Sequence, residues 1–160
     1  MVIDIRINSP GAGEWIMKHA GGTFVPGYGQ VLATYKNDEL LGGFVLSDYT
    51  TNCMVVNMAG KHPGWATVDL LWMLFDYAFN QMKVKKLLAM VSSDNSASMS
   101  QCLRAGWQVE TLIKDLYGDN VHGFILAMTP DACVWLSYTP KTWRRNYLTV
   151  VSDTSHRDAA

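Results

Sequence analysis

The residues with the most chemistry to offer occupy one short stretch, Gly60-Lys61-His62-Pro63-Gly64-Trp65-Ala66-Thr67, between an apolar strand-like run and a long helical one. A helix start exposes backbone N–H groups that have no intrahelical partner, together with the positive end of the macrodipole. Small residues there let a polyphosphate approach the main chain. Lys61 can add a charge-assisted contact to the same anion. The alternative at this point is conformational only: Pro63-Gly64 turns the chain into a helix and binds nothing. Metal chemistry has no support. Cys53, Cys102 and Cys133 show neither CxxC nor Cys/His ligand spacing, so they read as free thiols, with no disulfide framework and no metal site.

Several elements must hold that stretch in place. Val2, Ile3, Ile5 and Ile7 alternate with Asp4 and Arg6, the period of a first strand. Ser9 is placed to cap, with Pro10 as the first helical residue, and Gly21-Gly22 limits the helix to a short one. Val31 to Tyr35 and Leu40 to Asp48 form a hairpin about Asn37-Asp38, and Cys53 to Met58 continues the meander to Ala59-Gly60. The spacing of Val68, Leu71, Trp72, Phe75, Ala78, Phe79 and Met82 predicts a helix over Trp65 to Met82. Its aromatics read as core, with Trp65 at the mouth free to lie against a ligand. Leu87 to Val91 is a strand, Asp94-Asn95 opens a helix that ends at Ala105-Gly106, and Trp107 to Tyr117 and Val121 to Met128 close the order as a hairpin. This order predicts an α/β (α+β) domain at 1–136: a mixed, mostly antiparallel twisted sheet flanked by helices. Beyond it, 137–160 reads as a C-terminal arm or tail, with one or two helical turns at Asp131 to Leu136 just before it.

Composition excludes other classes. A chain of 160 residues with 49% hydrophobic and 17% charged residues can bury a single core and is not disordered. Thirteen Lys+Arg against fourteen Asp+Glu leave a net charge of −1, which disfavours a general nucleic-acid coat. The apolar run Leu70 to Phe75 is far short of the about 20 residues needed to span a bilayer, so no membrane partner is expected. The alternating N-terminus does not read as a secretion signal, which points to a reducing cytoplasm.

Two motifs carry a family resemblance. Lys61-x-x-Gly64-x-Ala66 resembles the Gln/Arg-x-x-Gly-x-Gly/Ala loop of the GNAT (GCN5-related N-acetyltransferase) superfamily, with Lys a departure at the first position. Asn95-Ser96-Ala97-Ser98, followed by Gly106-Trp107, resembles that family's Asn-x-x-Ala/Ser and Gly-Phe, with Trp for Phe. The resemblance covers about Val2 to Met128. Gly123 to Met128 and Pro130 to Leu136 extend it toward a branch often carried by bacteriophages, which would place the protein in a host cytoplasm or a virion.

The resemblance implies a splay between the fourth and fifth strands that takes the pantetheine arm of acetyl-coenzyme A as co-substrate. Main-chain groups at Met58 and Gly60 would bond the arm, and Lys61, His62, Gly64, Trp65, Ala66 and Thr67 would surround the phosphates. Asn95 would touch the arm from the other wall; as a helix cap it needs no ligand. The family's usual acid, a Tyr, is replaced by Cys102, and Ser98 matches a serine proposed as acid in another branch. Each has a bland reading, a small buried thiol and a solvated helix hydroxyl. The strand Cys53 to Met58 carries no carboxylate, which leaves Asp48, a histidine or water as base, with His122 and Tyr117 on the acceptor side. Lys83-Lys85-Lys86 is a solvated turn or a neighbour of the adenosine 3′-phosphate. The implied function is an acyl-coenzyme A-dependent N-acyltransferase working by direct transfer in a ternary complex, with an unidentified amine of a protein or a nucleic-acid base as acceptor. The alternatives are a non-catalytic GNAT-fold binding or virion-associated structural protein, and a nucleobase-modifying phage enzyme. Homo-oligomerisation through the C-terminal arm is a further expectation.

Overall fold

The computed structural model describes residues 3–138 of the chain. Nearly all of the proposed arm lies outside them. The elements run β1 (Asp4–Ile7), α1 (Ala12–Ala20), β2 (Gln30–Lys36), β3 (Glu39–Ser47), β4 (Cys53–Gly60), α2 (Val68–Phe75), a π-helical turn (Asp76–Gln81), β5 (Lys86–Ser92), α3 (Ser96–Arg104), β6 (Gln108–Gly118) and β7 (Val121–Met128). Two 3-10 turns, Pro130–Ala132 and Val134–Ser137, follow. The strands form one sheet in the order β1-β2-β3-β4-β5-β7-β6. Every pairing is antiparallel except β4 with β5.

Local chemistry accounts for most boundaries. Asn37 and Asp38 both take positive φ, 50° and 62°, as a two-residue hairpin turn requires. Three expectations need correction. Gly11, in the left-handed region with φ 81°, precedes α1, and Ser9 instead bonds the Tyr35 hydroxyl at 2.7 Å. The second helix begins at Val68, three residues later than its apolar spacing suggests. Thr67 caps it by accepting the Leu70 N–H at 3.1 Å, which leaves Trp65 to Thr67 as loop. The helix also loses its α register at Asp76. That side chain is 4% exposed and accepts from Asn80 Nδ2 at 2.8 Å and Gln81 Nε2 at 3.0 Å. Residues four and five positions on thus satisfy one buried carboxylate, an arrangement that favours a wider turn.

The helices cover the sheet unequally. On one face α2 and its π-helical extension bury Leu70, Trp72, Met73, Leu74 and Phe75, with α3 adding Cys102. On the other face α1 packs Ile16 against Val31, Ala33 and Val45 of β2 and β3, with Phe24 beside it. Edge strand β6 is exposed along its whole length.

Candidate functional site

The site begins where the sheet stops being a sheet. β4 and β5 pair only from Cys53 with Lys86 to Val55 with Leu88. Beyond that β4 continues to Gly60 beside β3, and β5 to Ser92 beside β7. Two inner strand edges therefore face each other without a shared ladder. Backbone donors and acceptors on such edges call for a partner, and an extended amide-bearing chain can supply one.

Two cavities meet in this gap. The larger, about 480 Å³, lies between α2, α3 and the end of β4, and Met58, Gly60, Lys61, His62, Trp65 and Ala66 all line it. That volume falls within the usual range for small-molecule sites. The smaller, about 310 Å³, opens on the α1 side past His19, Asn57, Met90, Asp94, Asn95 and Tyr117. Met58, Ser98 and Cys102 line both. A group held at that junction is reachable from either side.

The loop on the larger cavity is ordered from within. Lys61 N–H bonds the Leu41 carbonyl at 2.9 Å, Trp65 N–H bonds the His62 carbonyl at 3.1 Å, and Gly64 N–H donates to His62 Nδ1 at 3.1 Å. Among the described residues no partner takes the N–H of Ala66 or Val68, so these are the amides left for an anion at the helix start. Lys61 Nζ forms a 3.1 Å ion pair with Glu39 and lies 6.0 Å from the Trp15 ring centroid. Gly60 allows a close approach that no other residue would: a Cβ there would lie 2.0 Å from Trp65 Cδ1. The indole also packs on Gly42 and on Phe44, with ring centroids 5.0 Å apart, so it forms one wall of the cavity and leaves the space open.

At the junction, Ser98 and Cys102 are one helical turn apart on the same face of α3. Cys102 is buried, and burial pushes its thiol above the ordinary range, so it stays protonated near neutral pH. Asn95 Oδ1 accepts the Ser98 N–H at 3.1 Å, the cap reading of that residue. Asn95 lines the smaller cavity, and Gly64 and Thr67 line neither.

No protein-family model and no curated protein matches this sequence. Solved structures do match. The chain is similar to a GNAT family acetyltransferase from Elizabethkingia anophelis with acetyl-CoA bound, at 14% identity and TM-score 0.57, covering 79% of this chain and 97% of that one. It is similar to yncA from Salmonella typhimurium, solved with its cofactor acetyl-CoA, at 16% identity and TM-score 0.64, covering 82% and 96%. A third likeness is to mutant forms of the spermidine/spermine N-acetyltransferase SpeG from Vibrio cholerae, at 11% identity and TM-score 0.63, covering 81% and 96%. This is the fold of the GNAT acetyltransferases.

Within that fold, some residues expected at the site stand elsewhere. Asp48 lies past the end of β3, beside the paired start of β4, where it accepts from the Tyr28 hydroxyl at 2.9 Å and from Ser47 Oγ at 2.8 Å. The bond to Asp48 raises the Tyr28 phenol above its usual pKa. His122 is held away from both cavities, its Nδ1 accepting the Asp115 N–H at 2.9 Å. Lys86 sits at the closed end of the gap, paired with Glu110 at 2.5 Å, far along β5 from the loop that borders the larger cavity.

Sequence reasoning missed His19. It stands in the last turn of α1, stacks on Trp15 with centroids 4.2 Å apart, and bonds the Trp15 carbonyl through Nδ1 at 2.8 Å. A carbonyl only accepts, so Nδ1 donates in this bond, which in the neutral ring leaves the lone pair on Nε2. The Trp-x-x-x-His spacing signals the stack but says nothing of the cavity.

Proposed function

We propose that the protein is an acyl-coenzyme A-dependent N-acyltransferase, with acetyl-CoA as the simplest donor, that transfers the acyl group directly to an amine in a ternary complex. The meeting of the two cavities at Met58, Ser98 and Cys102 carries this reading, because it gives donor and acceptor separate approaches to one reacting centre. The donor supplies an activated thioester carbonyl. The free inner edge of β4 at Met58 and Gly60 suits the amides of its pantetheine arm, and the Ala66 and Val68 amides suit its phosphates. An apolar wall of Phe44, Leu71 and Trp107 excludes water from the thioester.

The acceptor, in this reading, comes in past Tyr117 and His19. The groups there able to take the amine proton are His19 Nε2 and the Asp94 carboxylate. Among the described residues no Lys or Arg lines the smaller cavity, and that lining suits a neutral or cationic amine better than a phosphate-bearing one. On the leaving side, the Cys102 thiol and the Ser98 hydroxyl can each lend a hydrogen to the departing sulfur. A second reading, ligand binding without turnover, draws on Asn57 of β4, which cannot act as a base beside the gap.

Calorimetry with acetyl-CoA tests the reading. Binding in the micromolar range is expected, and Ala66→Glu should abolish it by projecting a carboxylate at the phosphates. No heat at millimolar ligand refutes the proposal. Binding with no acyl transfer to any amine in a broad panel favours the non-catalytic reading.

A further inference from the structure

The loop along the larger cavity does not rest on β4 alone. Its middle reaches back across three strands. Thr34 of β2 pairs in register with Gly42 of β3, and Gly42 with Gly60 of β4. Directly opposed residues share a face, so these three form one row of small side chains across the sheet. Trp65 lies along that row. A Cβ at Gly60 or Gly42 would meet its indole at 2.0 Å or 2.8 Å, and its carbonyl ends over Thr34, whose Oγ1 donates to it at 2.9 Å. Thr34 is wholly buried, and its other acceptor, the Gly42 carbonyl, is longer at 3.3 Å. The register of β2 against β3 shifts between Thr34 and Tyr35, the position that aims this hydroxyl.

We infer that Thr34 is the positioning residue for the anion-binding loop. By holding the Trp65 carbonyl, it fixes the peptide plane that carries the Ala66 N–H, an amide that no other described residue takes. This rests on the coenzyme A reading given above, although the clamp itself does not require a ligand. Thr34 touches no ligand, and it is separated from the cavity by the loop it holds. With the hydroxyl removed, the Trp65 carbonyl keeps only the Thr67 N–H at 3.0 Å, a bond within the loop itself, so the loop loses its tie to β2 and the Ala66 amide loses its orientation relative to the sheet.

Three proteins test this: the wild type, Thr34→Val, which keeps the shape and loses the hydroxyl, and Thr34→Ser, which does the reverse. Amide hydrogen exchange without ligand should be faster across 61–67 in Thr34→Val and unchanged in Thr34→Ser. The dissociation constant for coenzyme A, by calorimetry, should rise by up to about 12-fold in Thr34→Val, the upper end of the range for one lost hydrogen bond. In Thr34→Ser it should stay within about 2-fold of wild type. A packing role predicts the opposite order, with Val tolerated and Ser weakened, and that order overturns the inference. Unchanged exchange in Thr34→Val overturns it as well. If the exchange result holds while the wild type fails to bind coenzyme A at millimolar concentration, the clamp stands but the anion role assigned to it falls with the cofactor reading.

Discussion

Replacing Gly60 with alanine should move the whole loop. The added Cβ would lie 2.0 Å from Trp65 Cδ1 and 2.1 Å from Nε1, where ordinary contact begins at 3.4 Å. The indole must therefore retreat by roughly 1.4 Å. It cannot retreat into the sheet, since it already packs on Gly42 and Phe44, and lifting away breaks the 2.9 Å bond from Thr34 to its carbonyl. Overpacking of this kind costs about 1–3 kcal/mol, and the broken hydrogen bond adds about 1 kcal/mol. A total of about 2–4 kcal/mol corresponds to a fall of roughly 4–16 °C in Tm for a domain of this size. Chemical denaturation reads the free energy, and calorimetry with coenzyme A should show weakened binding because the Ala66 amide moves with the indole. The double variant Gly60→Ala/Trp65→Ala removes the clash, so the two substitutions should couple by at least about 1.5 kcal/mol. A Gly60→Ala protein within about 0.5 kcal/mol of wild type, with intact binding, would refute the close approach on which the site geometry depends.

The other expectations follow from burial and lining. In iodoacetamide labelling, half-buried Cys53 should react first. Cys102 and Cys133, whose thiols are raised by burial, should react only as the pH climbs past about 9, and coenzyme A should protect Cys102 alone. Equal rates for Cys53 and Cys102 at pH 8 would contradict the burial argument. Asp76→Ala should destabilise the fold by about 1–3 kcal/mol by stripping the Asn80 and Gln81 amides of their acceptor. Coenzyme A affinity, measured on the folded variant, should not change, since Asp76 lines neither cavity. His19→Gln should also leave that affinity within about 2-fold while slowing transfer to an amine by about 100-fold or more; a large loss of cofactor binding would show that donor and acceptor do not reach the centre by separate cavities.

The sequence alone determined the strands, the hairpin at Asn37-Asp38 and the small-residue break from Gly60 to Gly64, though not that the loop runs on to Thr67. Those features rest on alternation, turn chemistry and small residues, which act between near neighbours. Only the tertiary structure decided that the β4–β5 ladder ends after Val55 and Leu88, because a missing ladder bond leaves no trace in either strand's own pattern. The same holds for His19 and Thr34. One reaches the smaller cavity from α1 and the other holds the Trp65 carbonyl from β2, across 31 positions of chain. The shift from α to π register depended on a carboxylate whose burial is a property of the packed core. Periodicity locates an element and its apolar face; which polar atom on that face meets which distant backbone group follows only from how the elements are brought together.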